Sequence, residues 1–72
     1  MAAEEYGKYI LVSRPQHIEQ LQAWMPYASV GWLDGRQWEY HQLKDLNRIF
    51  DTEEQALAFG FAAARRWIDK ER

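Results

Sequence analysis

Three stretches of the chain carry the hydrophobic pattern of β-strands. Residues 8–12, KYILV, form a compact run of β-branched and aromatic side chains, and Pro15 follows soon after it. Residues 23–32, AWMPYASVGW, and residues 36–44, RQWEYHQLK, alternate between two faces as strands do. Because LDG lies between the last two stretches, the pattern predicts three strands, the second and third joined as a hairpin.

The length of the hairpin loop decides which side chains form the core. A two-residue turn at residues 34–35 would set apolar positions of one strand beside polar positions of the other. A three-residue loop at residues 33–35, with its glycine left-handed as a bulge, shifts the register by one residue. Val30 then shares a face with Trp38 and Tyr40. Since a one-residue slip moves every side chain to the other face, we predict the bulged loop and a core containing Trp38 and Tyr40.

The segments outside the three strands and the predicted helix have less regular patterns. Residues 14–22 fit either a loop with one helical turn or a helix that Pro26 would end, and we favour the loop. Residues 1–5 are expected to fray. Residues 44–50 are predicted to be a connector with a short extended piece at residues 48–50.

Residues 51–69 predict one amphipathic helix. Thr52 and Gln55 have the spacing of a capping box, and acidic residues lie at the end where the helix dipole is positive. At 100° per residue, one narrow stripe is apolar. Its members are Leu57, Phe61, Ala64 and Ile68. We expect this stripe to pack on the sheet, with Trp67 beside it in the core.

Gly60 lies on the same side of the predicted helix. Glycine costs about 1 kcal/mol relative to alanine in a helix interior, so its presence predicts a close approach of helix and sheet. Phe59 and Arg66 fall on the opposite side. Arg65 lies one turn before Asp69, a spacing that favours an ion pair within the helix.

These elements predict an α+β fold in a single domain spanning residues 1–72. The predicted architecture is a small three-stranded antiparallel sheet, in the order β-β-β-α, with one C-terminal helix packed on one face. A chain of this length buries only about 60% of the surface that it exposes when unfolded, so the fold depends on a few large side chains.

Parts of the chain resemble a group of small, uncharacterised bacterial proteins. The resemblance is carried by WMPYASV on a middle strand and by FDTEEQALAFGFAAARRWID at the C-terminal end. The matching positions are Phe50, Thr52, Gly60, Ala64, Arg65, Trp67, Ile68 and Asp69. Gln55 departs from the pattern, which has an acidic residue before Ala56. The group shares a β-β-β-α plan, so the resemblance implies this fold, and it implies no activity.

The composition narrows the classes of function. The absence of cysteine excludes disulfides, thiolate nucleophiles and cysteine-based metal sites. The formal net charge is −2, whereas nucleic-acid-binding domains are usually basic. No run approaches the roughly 20 apolar residues that a membrane span needs. No secretory signal is recognisable either, so we expect a cytoplasmic protein with no membrane partner.

Few residues could support catalysis. Glu39 and His41 share a face of the third strand and could form a carboxylate–imidazole pair, but we interpret them as polar residues of a solvated face. His17 is interpreted as a surface residue. Spacings typical of metal sites, phosphate-binding loops and nucleophile motifs are lacking. The sequence therefore predicts no enzyme activity, no cofactor and no metal ion.

Aromatic residues make up 15% of the chain, more than one short helix can cover. We therefore predict an interaction surface on the sheet face away from the helix and on the helix's outer side. Its candidate residues are Met25, Tyr27, Leu33, His41, Leu43, Phe59 and Arg66. Because tyrosine and methionine are enriched at protein interfaces, the predicted partner is a protein or a second copy in a homodimer. The alternative is single-stranded nucleic acid stacked on exposed sheet aromatics, which the acidic balance disfavours.

Overall fold

The computed structural model describes residues 2–44 and 46–71, and within them the chain forms six strands, a 3₁₀ turn and one long helix. The strands are β1 Ala2–Tyr6, β2 Tyr9–Ser13, β3 Gln16–Ile18, β4 Ala23–Met25, β5 Ala28–Asp34 and β6 Gln37–Gln42. The 3₁₀ turn spans Glu19–Leu21, and helix α1 spans Glu53–Glu71. The α+β class and the C-terminal helix are confirmed.

The prediction of one three-stranded sheet is wrong. The described residues form a four-stranded antiparallel sheet in the order β1-β2-β5-β6 and a separate two-stranded hairpin, β3-β4. The predicted strand at residues 23–32 is divided at Pro26, which is buried. Proline has no N–H to donate to a ladder, so β4 ends before it and β5 begins after it in a different sheet.

The fourth strand of the large sheet comes from the segment that was expected to fray. That prediction is wrong for residues 2–5, and Met1 lies outside the described residues. β1 pairs with β2 along its whole length, from Ala2 opposite Ser13 to Tyr6 opposite Tyr9. Gly7 has φ +61°, the conformation that a tight two-residue hairpin turn requires at its first position. β1 is therefore an edge strand of the sheet, paired on one side.

Residues 14–22 contain more regular structure than the predicted loop. One helical turn is present, as the favoured interpretation expected, but β3 precedes it and pairs with β4. Gln22 ends the turn in the left-handed conformation with φ 50°, and its side-chain amide donates to the carbonyl oxygen of Glu19 at 2.9 Å. The turn therefore reverses the chain into β4.

The hairpin between β5 and β6 closes one residue later than either loop considered. Asp34 pairs with Gln37, which leaves the two-residue turn at residues 35–36, so the predicted bulged loop is wrong. Gly35 is left-handed as predicted, with φ +67°, but it occupies the first position of a two-residue turn. In this register Val30 pairs with His41. Trp38 and Tyr40 therefore point away from the helix, and the prediction that they belong to the core is wrong.

The core lies between one face of the large sheet and α1. β2 and β5 contribute Leu11, Ala28 and Val30, and the helix contributes the predicted stripe. The buried helix residues include Phe61, Ala64 and Ile68, while Leu57 and Trp67 are partly buried against them. Leu43 is also buried here, because it continues the ladder opposite Ala28 and so lies on the helix side of the sheet. This arrangement confirms the predicted helix phase.

Helix and sheet approach most closely at Gly60. A Cβ atom at this position would lie 2.3 Å from the Oγ atom of Ser13, which is buried. That hydroxyl donates to the carbonyl oxygen of Leu57 at 3.0 Å and so links β2 to α1. The close approach predicted from Gly60 is confirmed.

The start of the helix is capped, and the segment just before it is bonded to β4. The backbone N–H of Gln55 donates to Thr52 Oγ1 at 3.1 Å, which confirms half of the predicted capping box. Before it, Phe50 forms an isolated bridge with Trp24, with two backbone hydrogen bonds of 2.8 Å. The predicted extended piece is therefore present at residue 50, and Asp45 of the same connector lies outside the described residues.

The predicted ion pair between Arg65 and Asp69 is wrong. Arg65 pairs with Glu4 of β1 instead. Asp69 accepts hydrogen bonds of 2.9 and 3.1 Å from the hydroxyl of Tyr6 on the same strand. Both helix residues are drawn to β1 because alternate residues of that strand point to the helix side of the sheet.

Candidate functional site

The sheet face opposite α1 is not covered by any helix or strand of the described residues. Strand alternation and the paired registers place residues from three neighbouring strands on it. They are Ile10, Val12, Ser29, Gly31, Leu33, Trp38, Tyr40 and Gln42. We call this set the open face.

Three large side chains of the open face are strongly exposed. The exposed fraction is 53% for Leu33, 62% for Trp38 and 78% for Tyr40. Leu33 and Trp38 are direct cross-strand partners, and Tyr40 lies opposite Gly31. Directly opposed side chains lie about 5 Å apart, so these groups form one continuous patch.

Two shallow grooves run along this patch. One has a volume of about 400 Å³ and lies over Gly31, where the absence of a side chain leaves a depression between Ile10 and Trp38. The other has a volume of about 450 Å³ and is bordered by Arg14 and Tyr27. Tyr40 borders both grooves. The first groove is therefore mainly apolar, while the second adds hydrogen-bonding groups at its end.

The opposite side of β6 carries an aromatic stack. The ring of His41 lies 4.5 Å from that of Trp67 at an interplanar angle of 12°, and Trp67 in turn stacks on Trp32 at 6.1 Å. Glu39 is on the same side of the strand, as predicted. Among the described residues no hydrogen bond joins Glu39 to His41, so the imidazole serves as a packing surface between sheet and helix.

The structure divides the seven predicted surface residues among several places. Leu33 lies on the open face, and Tyr27, 38% exposed, borders the second groove. His41 is on the helix side of β6, and Met25 is half-buried in the separate hairpin. Leu43 is 9% exposed and belongs to the core, so its assignment to the surface is wrong. Its backbone N–H donates to the carbonyl oxygen of Ala28, so the register of β6 continues to Leu43 and places it on the helix side together with His41.

The other two predicted residues lie on the outer side of the helix, as expected. Arg66 is exposed. Phe59 is half-buried, because its ring lies 5.3 Å from that of Phe50 and the guanidinium of Arg48 lies 5.3 Å from its centroid. This small cluster covers Phe59 from within the chain, so Phe59 offers less surface to a partner than the helix phase alone predicts.

Sequence reasoning missed the residues that dominate the open face, namely Trp38 and Tyr40 with Ile10 and Val12. The relevant signal was present in Gly35. A left-handed glycine at the first position of a two-residue turn gives a register in which Trp38 faces Leu33. The two loops weighed from the sequence pattern, residues 34–35 and residues 33–35, both have the glycine as their last residue.

The described residues contain no group of three or more His, Asp or Glu side chains that could hold a metal ion. Their one long helix is too polar for a membrane span. His17, the second histidine, packs against Trp24 with ring centroids 4.8 Å apart and lines neither groove. Arg14, Tyr27 and Tyr40 border the second groove, and neither histidine lines either groove.

One known protein family matches the whole chain. The model of DUF6566, a domain of unknown function, matches residues 1–72. The chain belongs to the DUF6566 family. This match agrees with the resemblance to small uncharacterised proteins, and the order of strands followed by a C-terminal helix is confirmed for the DUF6566 chain. No curated protein and no solved structure matches it.

Proposed function

We propose that this DUF6566 chain is a non-catalytic, cytoplasmic interaction module that binds a protein surface through its open face. The observation that supports the proposal is the contiguous exposure of Leu33, Trp38 and Tyr40 at 53%, 62% and 78%. Contiguous apolar patches on monomers mark interaction sites, and tryptophan and tyrosine are the residues that most often dominate binding energy.

The layout of the open face fits the anatomy of a protein interface. Such interfaces have an apolar centre and a polar rim that supplies hydrogen bonds. Here the groove over Gly31 forms the apolar centre. Arg14, Gln16 and Gln42 line the polar end of the neighbouring groove. A partner would place apolar side chains over Gly31 and carbonyl or carboxylate groups near Arg14.

The positions of the histidines support a non-catalytic role. General acid–base catalysis needs an imidazole within hydrogen-bond reach of a bound substrate. His41 stacks on Trp67 on the opposite side of the sheet, and His17 packs on Trp24. A ligand in either groove would meet mainly aromatic, aliphatic and amide groups, which recognise surfaces rather than transfer protons.

A matched pair of leucine variants tests the proposal. Leu33 on the open face is 53% exposed, and Leu21, in the 3₁₀ turn outside both grooves, is 57% exposed. The experiment uses three baits under identical conditions: wild type, Leu33→Ser and Leu21→Ser. Mass spectrometry then quantifies the proteins bound to each bait, including further copies of the chain. We expect binding to be retained by Leu21→Ser and reduced at least tenfold by Leu33→Ser.

The control excludes a general loss of surface hydrophobicity, because both variants remove the same exposed side chain. Circular dichroism and thermal unfolding must first show that both remain folded. Equal retention of the same proteins by the two variants would contradict the assignment of binding to the open face.

One specific observation favours a second candidate function. Trp38 and Tyr40 project from the same face of one strand, and Arg14 borders the groove beside Tyr40. Aromatic side chains of this kind can stack on successive bases, with a nearby arginine close to a phosphate. A mobility-shift assay with single-stranded oligonucleotides in low salt tests this. The acidic net charge of −2 opposes it, and no retardation at micromolar protein removes it.

A further inference from the structure

We propose that the chain also pairs with a second copy of itself, antiparallel along the free edge of β6 and across a two-fold axis at Tyr40. This inference goes beyond the proposed function, because it uses the sheet edge and leaves the open face exposed. The paired copies form one continuous sheet, with both helices on one side and both open faces on the other.

The two edges of the large sheet differ in charge. β1 forms one edge and presents Glu4 and Glu5 in succession. A second copy paired antiparallel on this strand would place carboxylates beside carboxylates, and like charges opposite each other destabilise a sheet. Glu4 is also engaged with Arg65. Acidic side chains of this kind protect an edge from pairing.

β6 forms the other edge and has one acidic residue, Glu39, between two aromatic residues. No strand among residues 2–44 and 46–71 pairs with its outer side. Exposed edges with aromatic side chains and little charge are templates for strand addition. Of the two edges, β6 is therefore the one suited to pairing.

The direction of the backbone groups on β6 can be read from its ladder with β5. The N–H of Leu43 donates to the carbonyl oxygen of Ala28 at 2.9 Å. In an antiparallel ladder the residues alternate between those bonded to the neighbour and those turned away. Glu39 and His41 therefore turn their backbone groups toward β5. The residues that turn them to the free edge are Trp38, Tyr40 and Gln42.

Two-fold pairing of identical strands places one residue opposite its own copy. With Tyr40 in that position, Tyr40 exchanges two backbone hydrogen bonds with its copy, and Trp38 exchanges two with Gln42 of the second copy on either side. All three outward-facing residues of β6 are then satisfied. The two tyrosines also form a cross-strand aromatic pair, which is worth up to about 1 kcal/mol.

The side chains on the helix side complement each other in the same register. Glu39 of each copy lies directly opposite His41 of the other, so the symmetric interface contains two carboxylate–imidazole pairs. Centring the axis on Glu39 instead would set two carboxylates face to face in the closer kind of cross-strand pair. Avoidance of facing carboxylates therefore selects the register at Tyr40.

Pairing at Tyr40 also enlarges the open face. The exposed rings of Trp38 and Tyr40 from both copies meet in one band across the centre of the combined sheet, whereas each copy alone has its aromatic residues at an edge. The dimer thus buries part of the aromatic surface that a monomer leaves in water.

Cysteine cross-linking tests the register, because the chain has no cysteine of its own. Facing Cα atoms in a bonded antiparallel pair lie about 5.5 Å apart, within the range of a disulfide. We expect Tyr40→Cys to become a disulfide-linked dimer as the main product under glutathione oxidation at micromolar protein. Tyr40 is 78% exposed, so this variant should fold, and circular dichroism checks that it does.

Two further variants make the test specific to the register. Trp38→Cys and Gln42→Cys should each give little disulfide-linked dimer alone, because in the paired sheet each cysteine lies about 13 Å along the strand from its own copy. Mixed together, they should form the heterodimer as the main linked product. Ala3→Cys on the β1 edge serves as the control for random collision, and its linked fraction should be at least tenfold below that of Tyr40→Cys.

The outcomes separate this proposal from the proposed function. Cross-linking at Tyr40 and in the mixture supports the β6 dimer. If Ala3→Cys links as efficiently as Tyr40→Cys, or if the wild type sediments as a monomer at about 1 mM, the dimer is overturned. Failure of Tyr40→Cys to link, combined with loss of protein binding by Leu33→Ser, overturns the β6 pairing alone and leaves the open face as a site for a different protein.

Discussion

Gly60→Ala tests the closest contact in the fold. The new methyl group would lie 2.3 Å from Ser13 Oγ, 3.3 Å from Ser13 Cβ and 3.5 Å from the Cβ of Ala28. The first distance is far below van der Waals contact, so either the hydroxyl must rotate away or the helix must move off the sheet. Both responses cost free energy, because Ser13 is buried and its hydroxyl is bonded to the carbonyl oxygen of Leu57.

The cost can be estimated for each response. Rotation leaves a buried hydroxyl without its partner, which costs about 1–3 kcal/mol. Displacement of the helix overpacks the core elsewhere, at a similar cost of about 1–3 kcal/mol. Alanine regains about 1 kcal/mol of helix propensity relative to glycine. We therefore expect Gly60→Ala to lower the free energy of unfolding by about 0–2 kcal/mol, or the melting temperature by up to about 15 °C for a chain of this size.

Urea unfolding followed by circular dichroism measures the effect in a double-mutant cycle. Ser13→Ala removes the clashing oxygen, so Gly60→Ala should cost at least about 1 kcal/mol less in that background. Ala58→Gly, at an exposed position of the same helix, supplies the propensity cost without any contact to the sheet. An increased stability of Gly60→Ala with Ser13 present, or strict additivity in the cycle, would refute the close approach.

Three further predictions concern the phase of the helix, the link between helix and β1, and the register of β6. Phe61→Ala should cost about 3–5 kcal/mol because Phe61 is in the core, whereas Phe59→Ala should cost about 1 kcal/mol in thermal unfolding; equal losses would contradict the phase. Glu4→Gln should cost less than about 1 kcal/mol and the loss should vanish in 1 M NaCl, because its ion pair with Arg65 is exposed; a salt-independent loss would contradict this. Trp38→Ala should change the stability of the monomer, measured in dilute solution, by less than about 0.5 kcal/mol, and a loss above 2 kcal/mol would place that ring in the core.

The candidate site was predictable in kind but not in membership. Excess aromatic residues indicated an exposed patch, and the face away from the helix was the correct place for it. The sequence pattern assigns Leu33 to that face correctly. It places Trp38 and Tyr40 in the core, because the predicted bulged loop ending at Gly35 gives the opposite orientation of the side chains of β6. Leu43 was placed on the surface for the same reason. One turn residue therefore exchanged the two faces of β6, since side chains alternate strictly along a strand.

The amino-acid sequence by itself determined the local elements whose signals lie within a few residues of one another. The helix cap at Thr52, the apolar stripe through Phe61 and the close approach at Gly60 follow from helical spacing and from the conformational cost of glycine. Tertiary structure decided what depends on distant partners. β1 is a strand because β2 offers it a ladder and the helix offers Arg65 to Glu4. The register of β6, and with it the identity of the open face, was decided by contacts beyond the turn. It places Leu43 beside Ala28 in the core and His41 against Trp67, and it leaves Trp38 and Tyr40 exposed. Because a slip of one residue would exchange these two faces, the contacts of the whole strand with the helix set the register, and the turn residues alone do not.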